Sequence, residues 1–164
     1  MQADELFKEH HEDLKRYLVR CTGEPTVAED ACQEAFVRLA ENAPSELENP
    51  RAWLFTVASN AARDVLRTRS RRGRILEAKP NDVPAPHSPS APDDELERRE
   101  TRRRVRQALD QLSPRDRRVL LMREEGFRHR EIAEAVGTTT GAVGTIIARA
   151  LKKLANELGL EPGA

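Results

Sequence analysis

GFRHREIAEAVGTTTGAVGTIIARALKKLANEL, residues 126–158, decides the fold. Its spacing predicts a short helix from about His129 to Val136, with Ile132, Ala133 and Val136 on one apolar face. Gly137 ends that helix, because glycine accepts the left-handed backbone that a helix C-terminus often needs. Thr138, Thr139 and Thr140 offer hydroxyl caps for a second helix. That helix carries Val143, Ile147, Ala150, Leu151, Leu154 and Leu158 as its apolar stripe. Its opposite side shows Gly141, Thr145, Ala148, Arg149 and Lys152, small or polar at the leading end and basic further on. A short helix, a glycine turn and such a second helix form a helix-turn-helix, whose second helix can enter a major groove. An ordinary helical hairpin in a bundle has the same outline, so the stretch alone leaves both readings open.

The chain around it has 164 residues, enough for one large domain or two small ones. It is 38% hydrophobic and 34% charged, with one Trp and one Tyr, which describes a helix-rich protein with modest cores. Lys plus Arg equals Asp plus Glu at 28 each, so a nucleic-acid surface requires the basic residues to be segregated. Two cysteines, Cys21 and Cys32, make no disulfide framework and fall on apolar helix faces, as buried thiols of a reducing compartment do. The first eighteen residues are too charged for a signal peptide, and no apolar run is long enough to cross a bilayer. A cytoplasmic protein without direct membrane insertion is expected.

In chain order, residues 4–21 predict a helix with Leu6, His10, Leu14, Tyr17, Leu18 and Cys21 buried. Thr26 to Glu29 reads as a capping box opening a second helix to about Glu41. Its inner face is Ala28, Ala31, Cys32, Ala35, Phe36 and Leu39, and its outer face is Glu29, Asp30, Gln33, Glu34 and Arg38. Seven acids between Glu24 and Glu48 oppose Arg38 alone, a local charge of minus six. On charge alone that is a solvated helix face, not a docking surface. A loop follows, closed by Asn49 as N-cap and Pro50 at the first helical position. The next helix runs to about Arg72 and buries Leu54, Val57, Ala58, Ala61 and Val65, with Trp53 flanking. Arg63, Arg67, Arg69, Arg71, Arg72 and Arg74 face only Asp64, a density that suits tracking of phosphates.

Residues 73–93, GRILEAKPNDVPAPHSPSAPD, hold five of the ten prolines and read as an extended linker. From Asp94 helical patterning resumes, with Val105, Ala108, Leu109 and Leu112 on the core side. Ser113-Pro114-Arg115-Asp116 is a second capping box, opening a helix that ends at Gly126. The expected fold is all-α: a domain over residues 1–74, a proline-rich linker over 75–93, and a helix-turn-helix domain over 94–164. Nothing resembles a phosphate loop, a paired-cysteine metal motif or a nucleophile elbow, and His10, His11, His87 and His129 are scattered. The chain reads as a binder without metal, cofactor or catalytic constellation.

Several stretches together carry a family resemblance. Val27-Ala28-Glu29-Asp30-Ala31-Cys32-Gln33-Glu34-Ala35-Phe36 is similar to the polymerase-docking helix of extracytoplasmic-function sigma factors, small two-domain initiation subunits of bacterial RNA polymerase. Asn49-Pro50-Arg51-Ala52-Trp53-Leu54-Phe55, continuing to Asn60, Arg63, Asp64 and Arg67, resembles that family's promoter-opening helix. Leu112-Ser113-Pro114-Arg115 and Glu131-Ile132-Ala133 resemble its C-terminal domain. The resemblance implies that Glu29, Asp30, Gln33, Glu34 and Arg38 bind core polymerase, which would make the acidic face a docking surface after all. It implies that the loop from Asn42 to Asn49 accepts an unstacked base of the −10 element, and that Asn49, Asn60, Arg63, Arg67 and Arg71 hold −10 DNA. Trp53 is expected to be core, not a stacking platform. The −35 element falls to Thr139, Thr140, Gly141, Thr145, Ala148, Arg149 and Lys152. An anti-sigma protein is the further partner that the family implies.

One departure from the family pattern stands out. Recognition helices of the family carry basic residues where this chain has Gly144 and Ile146, and often a large side chain at Ala148. Each lost base contact removes about 1–3 kcal/mol of discrimination. The rival reading from another class is a stand-alone helix-turn-helix regulator, which would normally dimerise on paired half-sites. No dimerisation helix is apparent, and such a protein has no use for the acidic face.

Overall fold

The computed structural model describes residues 3–42, 44, 46–72 and 92–160. Residues 73–91, with Arg74, His87 and four of the five linker prolines, and two positions of the loop after the second helix lie outside them. Among the described residues there are seven helices: α1 Ala3–Thr22, α2 Pro25–Asn42, α3 Pro50–Arg72, α4 Pro92–Asp110, α5 Pro114–Glu124, α6 His129–Val136 and α7 Thr140–Glu157. No strand occurs among the described residues. The chain divides into two compact units, Met1–Asp82 and Val83–Ala164.

In the first unit α1, α2 and α3 pack on one another. The inner residues of α2 are small (Ala28, Ala31, Cys32, Ala35), so the helices approach closely, while Leu14, Tyr17, Leu18, Leu54 and Phe55 fill the space between them. The rings of Tyr17 and Phe55 lie 4.9 Å apart, and Ser59 Oγ donates to the Tyr17 hydroxyl at 3.1 Å. That bond pairs two buried hydroxyls in an apolar interior, where an unpaired hydroxyl would be costly.

α2 begins at Pro25, not with a Thr26–Glu29 capping box. Proline lacks an N–H and has its φ fixed near the helical value, so it takes the first helical position, and Ala28 N donates to Glu24 O at 3.0 Å. Thr26 is then already inside the helix, and the Glu29 carboxylate turns to Lys15 of α1 instead. α3 does start as expected: Asn49 Oδ1 accepts from Ala52 N at 3.1 Å, ahead of Pro50. Val65, expected in the core, is 36% exposed, because α3 runs about three turns past its last buried residue, Ala62. Phe55 takes the core place that the apolar pattern had not assigned.

In the second unit α5, α6 and α7 pack on one another and α4 lies against α7. Ser113 caps α5 by accepting from Asp116 N at 3.1 Å. Gly137 has φ +74° and its N–H donates to Ala133 O at 2.9 Å, the left-handed stop that separates α6 from α7. Thr139, the middle of the three threonines, caps α7 by accepting from Ala142 N at 3.2 Å. Arg118, itself buried, donates from Nη2 to Ala135 O at 3.1 Å and so ties α5 to the last turn of α6. The core of α7 is Val143, Ile146, Ile147 and Ala150. Leu151 is 42% exposed and not core: at 100° per residue it lies about a quarter-turn from the line those four define. Val105 of α4 is likewise 37% exposed, Ala108 and Leu112 being the residues that face inward.

Candidate functional site

On α2 the inner face is sealed, which leaves Asp30, Gln33, Glu34 and Arg38 exposed on the outer one. Glu34 and Arg38 form an ion pair one turn apart. Glu29 stands at the edge of this face. Its carboxylate lies 2.9 Å from Lys15 Nζ and accepts from Gln33 Nε2 at 3.3 Å. The hydrogen bond and charge of Lys15 hold the Glu29 carboxyl below its ordinary pKa, while the same contact raises that of Lys15. Beneath the face, burial pushes the Cys32 thiol up to about 12, so it stays protonated and inert.

Beside this patch lies an aromatic group the sequence did not signal. The rings of Phe7 and Phe36 meet edge to face at 4.9 Å, and His11 stacks on Phe7 at 4.4 Å. His10 and His11 are not brought together as ligands, and no metal-binding cluster exists among the described residues.

On α3 the arginines fall into two sets. Arg69 is tied to Glu24 at 2.5 Å, joining the end of α3 to the start of α2. Arg67 and Arg71 are exposed, and no described acid pairs with either. Arg63 and Asn60 are half-buried on the same face of the helix as Arg67 and Arg71, the four following one another at three- and four-residue steps, and Trp53 is half-buried at the other end of the helix. Asn49 is exposed, but its side-chain oxygen serves the cap of α3.

On α7 the exposed residues Thr140, Gly141, Thr145, Ala148, Arg149 and Lys152 share the side away from the core. Thr139 spends its hydroxyl on the cap. Ile146, expected at a DNA-facing position, is 4% exposed and belongs to the core, so its lack of charge removes nothing from that surface. Gly144 does sit beside the surface, and a Cβ there would stand 3.9 Å from His129 Cε1, ordinary contact distance. Arg149 is held by Asp116 of α5, a pairing across 33 residues that no local pattern reveals.

Two helical units, one with an acidic face and an arginine-rich helix end and the other with a helix-turn-helix, define a DNA-recognition architecture. Comparison with known proteins makes it specific. Residues 6–72 match the family model Sigma-70 region 2, and residues 102–154 match Sigma-70, region 4. The chain is 31% identical over 159 residues to RNA polymerase sigma factor CarQ of Myxococcus xanthus, covering 95% of this chain and 88% of that protein. It is 32% identical over 163 residues to ECF RNA polymerase sigma factor SigL of Mycobacterium tuberculosis, covering 94% and 89%. Among solved structures, the fold is similar to sigma factor RpoE of Bartonella quintana, crystallised with the anti-sigma factor NepR. That match has a TM-score of 0.77 and 19% identity over 96% of this chain and 97% of that one. The chain belongs to the extracytoplasmic-function group of the sigma-70 family, and is an alternative sigma factor that directs transcription initiation. Sigma factors are in general DNA-recognition proteins, not enzymes.

Proposed function

We propose that the chain docks on core RNA polymerase through the outer face of α2, with Asp30, Gln33, Glu34 and Arg38 in contact and Glu29 at the margin. Asn49, Asn60, Arg63, Arg67 and Arg71 on and before α3 hold −10 DNA. Thr139, Thr140, Gly141, Thr145, Ala148, Arg149 and Lys152 on and before α7 read the −35 element. The stretch 75–93 links the two domains, 1–74 and 94–164. The observation that carries this reading is the sorting of charge in a net-neutral chain: exposed acids on one helix, and on the next the exposed Arg67 and Arg71, which no described acid pairs. An acidic helix face suits a basic partner protein, and an arginine-rich helix end suits phosphates.

The chain acts in the cytoplasm without catalytic activity of its own, and an anti-sigma protein holds it inactive until a signal releases it. Support for that partner is the solved complex of the structurally similar RpoE with NepR. The test is reconstitution of purified chain with core polymerase and a promoter fragment. Run-off transcript that appears only when the chain is added supports the reading. Operator binding without polymerase would instead support a stand-alone regulator.

A further inference from the structure

Asp116 sits at the start of α5 with its side chain only 12% exposed, yet its carboxylate is surrounded by two cations. Arg149 Nη2 donates to Asp116 Oδ1 at 3.3 Å and to Oδ2 at 3.1 Å. Arg115 donates to the same Oδ1 from Nε at 3.3 Å and from Nη2 at 3.2 Å. Both guanidinium side chains remain half-exposed, at 57% and 52%. One carboxylate thus gathers two arginines from different helices, and the cluster keeps a net charge of plus one. Without it the two cations repel, and each long side chain is free to sample many rotamers. The Ser113 hydroxyl that accepts from Asp116 N fixes the carboxylate in turn.

We propose that Asp116 is a positioning residue for −35 recognition: it sets Arg115 and Arg149 side by side so that both meet the duplex backbone together. The inference rests on the assignment of Arg149 to DNA contact made above. An arginine already held in its bound geometry loses less freedom on binding, so the carboxylate raises affinity although it is itself an anion beside DNA. This fixes an unusual sign. Simple charge counting says that removing an acid near the phosphates strengthens binding. Positioning says that it weakens it.

The experiment uses the full chain assembled with core polymerase. The probe is a duplex carrying the −35 half of a promoter selected from random DNA by the wild-type holoenzyme. Asp116→Asn keeps size and backbone, and is expected to weaken binding by about five- to tenfold, the size of one ordinary hydrogen bond lost. The slope of log affinity against log salt is expected to fall by about one. Asp116→Glu keeps the charge but moves the carboxylate, and is expected to weaken binding as well, where charge counting predicts no change. In a background lacking both arginines, Arg115→Ala with Arg149→Ala, the effect of Asp116→Asn should shrink to less than about twofold, the signature of residues acting as one unit. A carboxylate with a merely structural role would lower thermal stability equally in both backgrounds and leave DNA affinity and salt slope unchanged. If Arg149→Ala alone leaves binding intact, the DNA-contact assignment of Arg149 fails and takes this inference with it. If Arg149→Ala weakens binding while Asp116→Asn leaves it equal or tighter, only the positioning role is overturned.

Discussion

Two glycines, Gly137 and Gly144, each have room for a Cβ yet behave in opposite ways, which separates backbone need from space. At Gly137 a Cβ would meet no atom within 4 Å, but φ is +74°. Gly137→Ala is therefore expected to cost about 1–2 kcal/mol, purely through the left-handed backbone. A shift of the denaturation midpoint at unchanged slope checks it. Gly144 is helical, and its Cβ position is 3.9 Å from His129 Cε1. Gly144→Ala is expected to stabilise the fold by roughly 0.5–1 kcal/mol. If the same variant binds promoter DNA less well, the glycine is kept for close approach and not for folding. At Glu29 the sign of a pH effect follows from its partner. Its pKa is lowered by Lys15, so its contribution is present above the unfolded carboxylate value and is lost as pH falls through the folded one. Lys15 is raised, so its share is present below the unfolded lysine value and is lost as pH rises through the folded one. Lys15→Met should destabilise the protein near neutrality and much less in strong acid. For this partly exposed pair the loss stays under about 1 kcal/mol, measured as the difference between unfolding curves at the two pH values.

Along single helices, the outer face of α2 allows the sharpest test of docking. Asp30 and Glu34 are exposed while the face behind them is buried, so reversing both charges should leave melting nearly unchanged and abolish co-elution with core polymerase. A double variant that still co-elutes refutes the docking assignment. α6 is readable at its observed bounds, His129–Val136, because its stops are local: Gly137 ends it, and Glu131 accepts from the Arg128 backbone N–H at its start. The start of α2 was misread because two local signals competed, and Pro25 prevailed over a Thr26 box. α7 shows where periodicity stops being enough. Ile146 and Leu151 flank the same stripe, and only the neighbouring helices decide which flank is covered. The pairing of Arg149 with Asp116, of Lys15 with Glu29 and of Arg69 with Glu24 could not be read at all, since each joins segments apart in the sequence. What the sequence did carry was the element order and the residue types on each face; what it lacked was which exposed charge a neighbouring helix had already engaged.

Over the whole chain, neutrality shapes how promoter DNA is held. Lys plus Arg and Asp plus Glu cancel at 28 each, so no strong overall field draws the free protein to DNA, and affinity must come from local surfaces used together. The two surfaces proposed above for DNA lie in separate units, Met1–Asp82 and Val83–Ala164. When one is engaged, the other binds at an effective concentration set by the connection between them, and the joint affinity exceeds either alone by about 10²–10⁴-fold. The holoenzyme should accordingly bind a promoter with both elements that much more tightly than a fragment carrying one. Moving the elements apart by about half a helical turn, roughly five base pairs, presents the second element on the wrong side of the duplex and should remove most of the gain. Filter-binding or anisotropy titrations on the spaced series measure this directly. Equal affinity across the series would mean that one unit alone holds the DNA, and that the second serves only the polymerase.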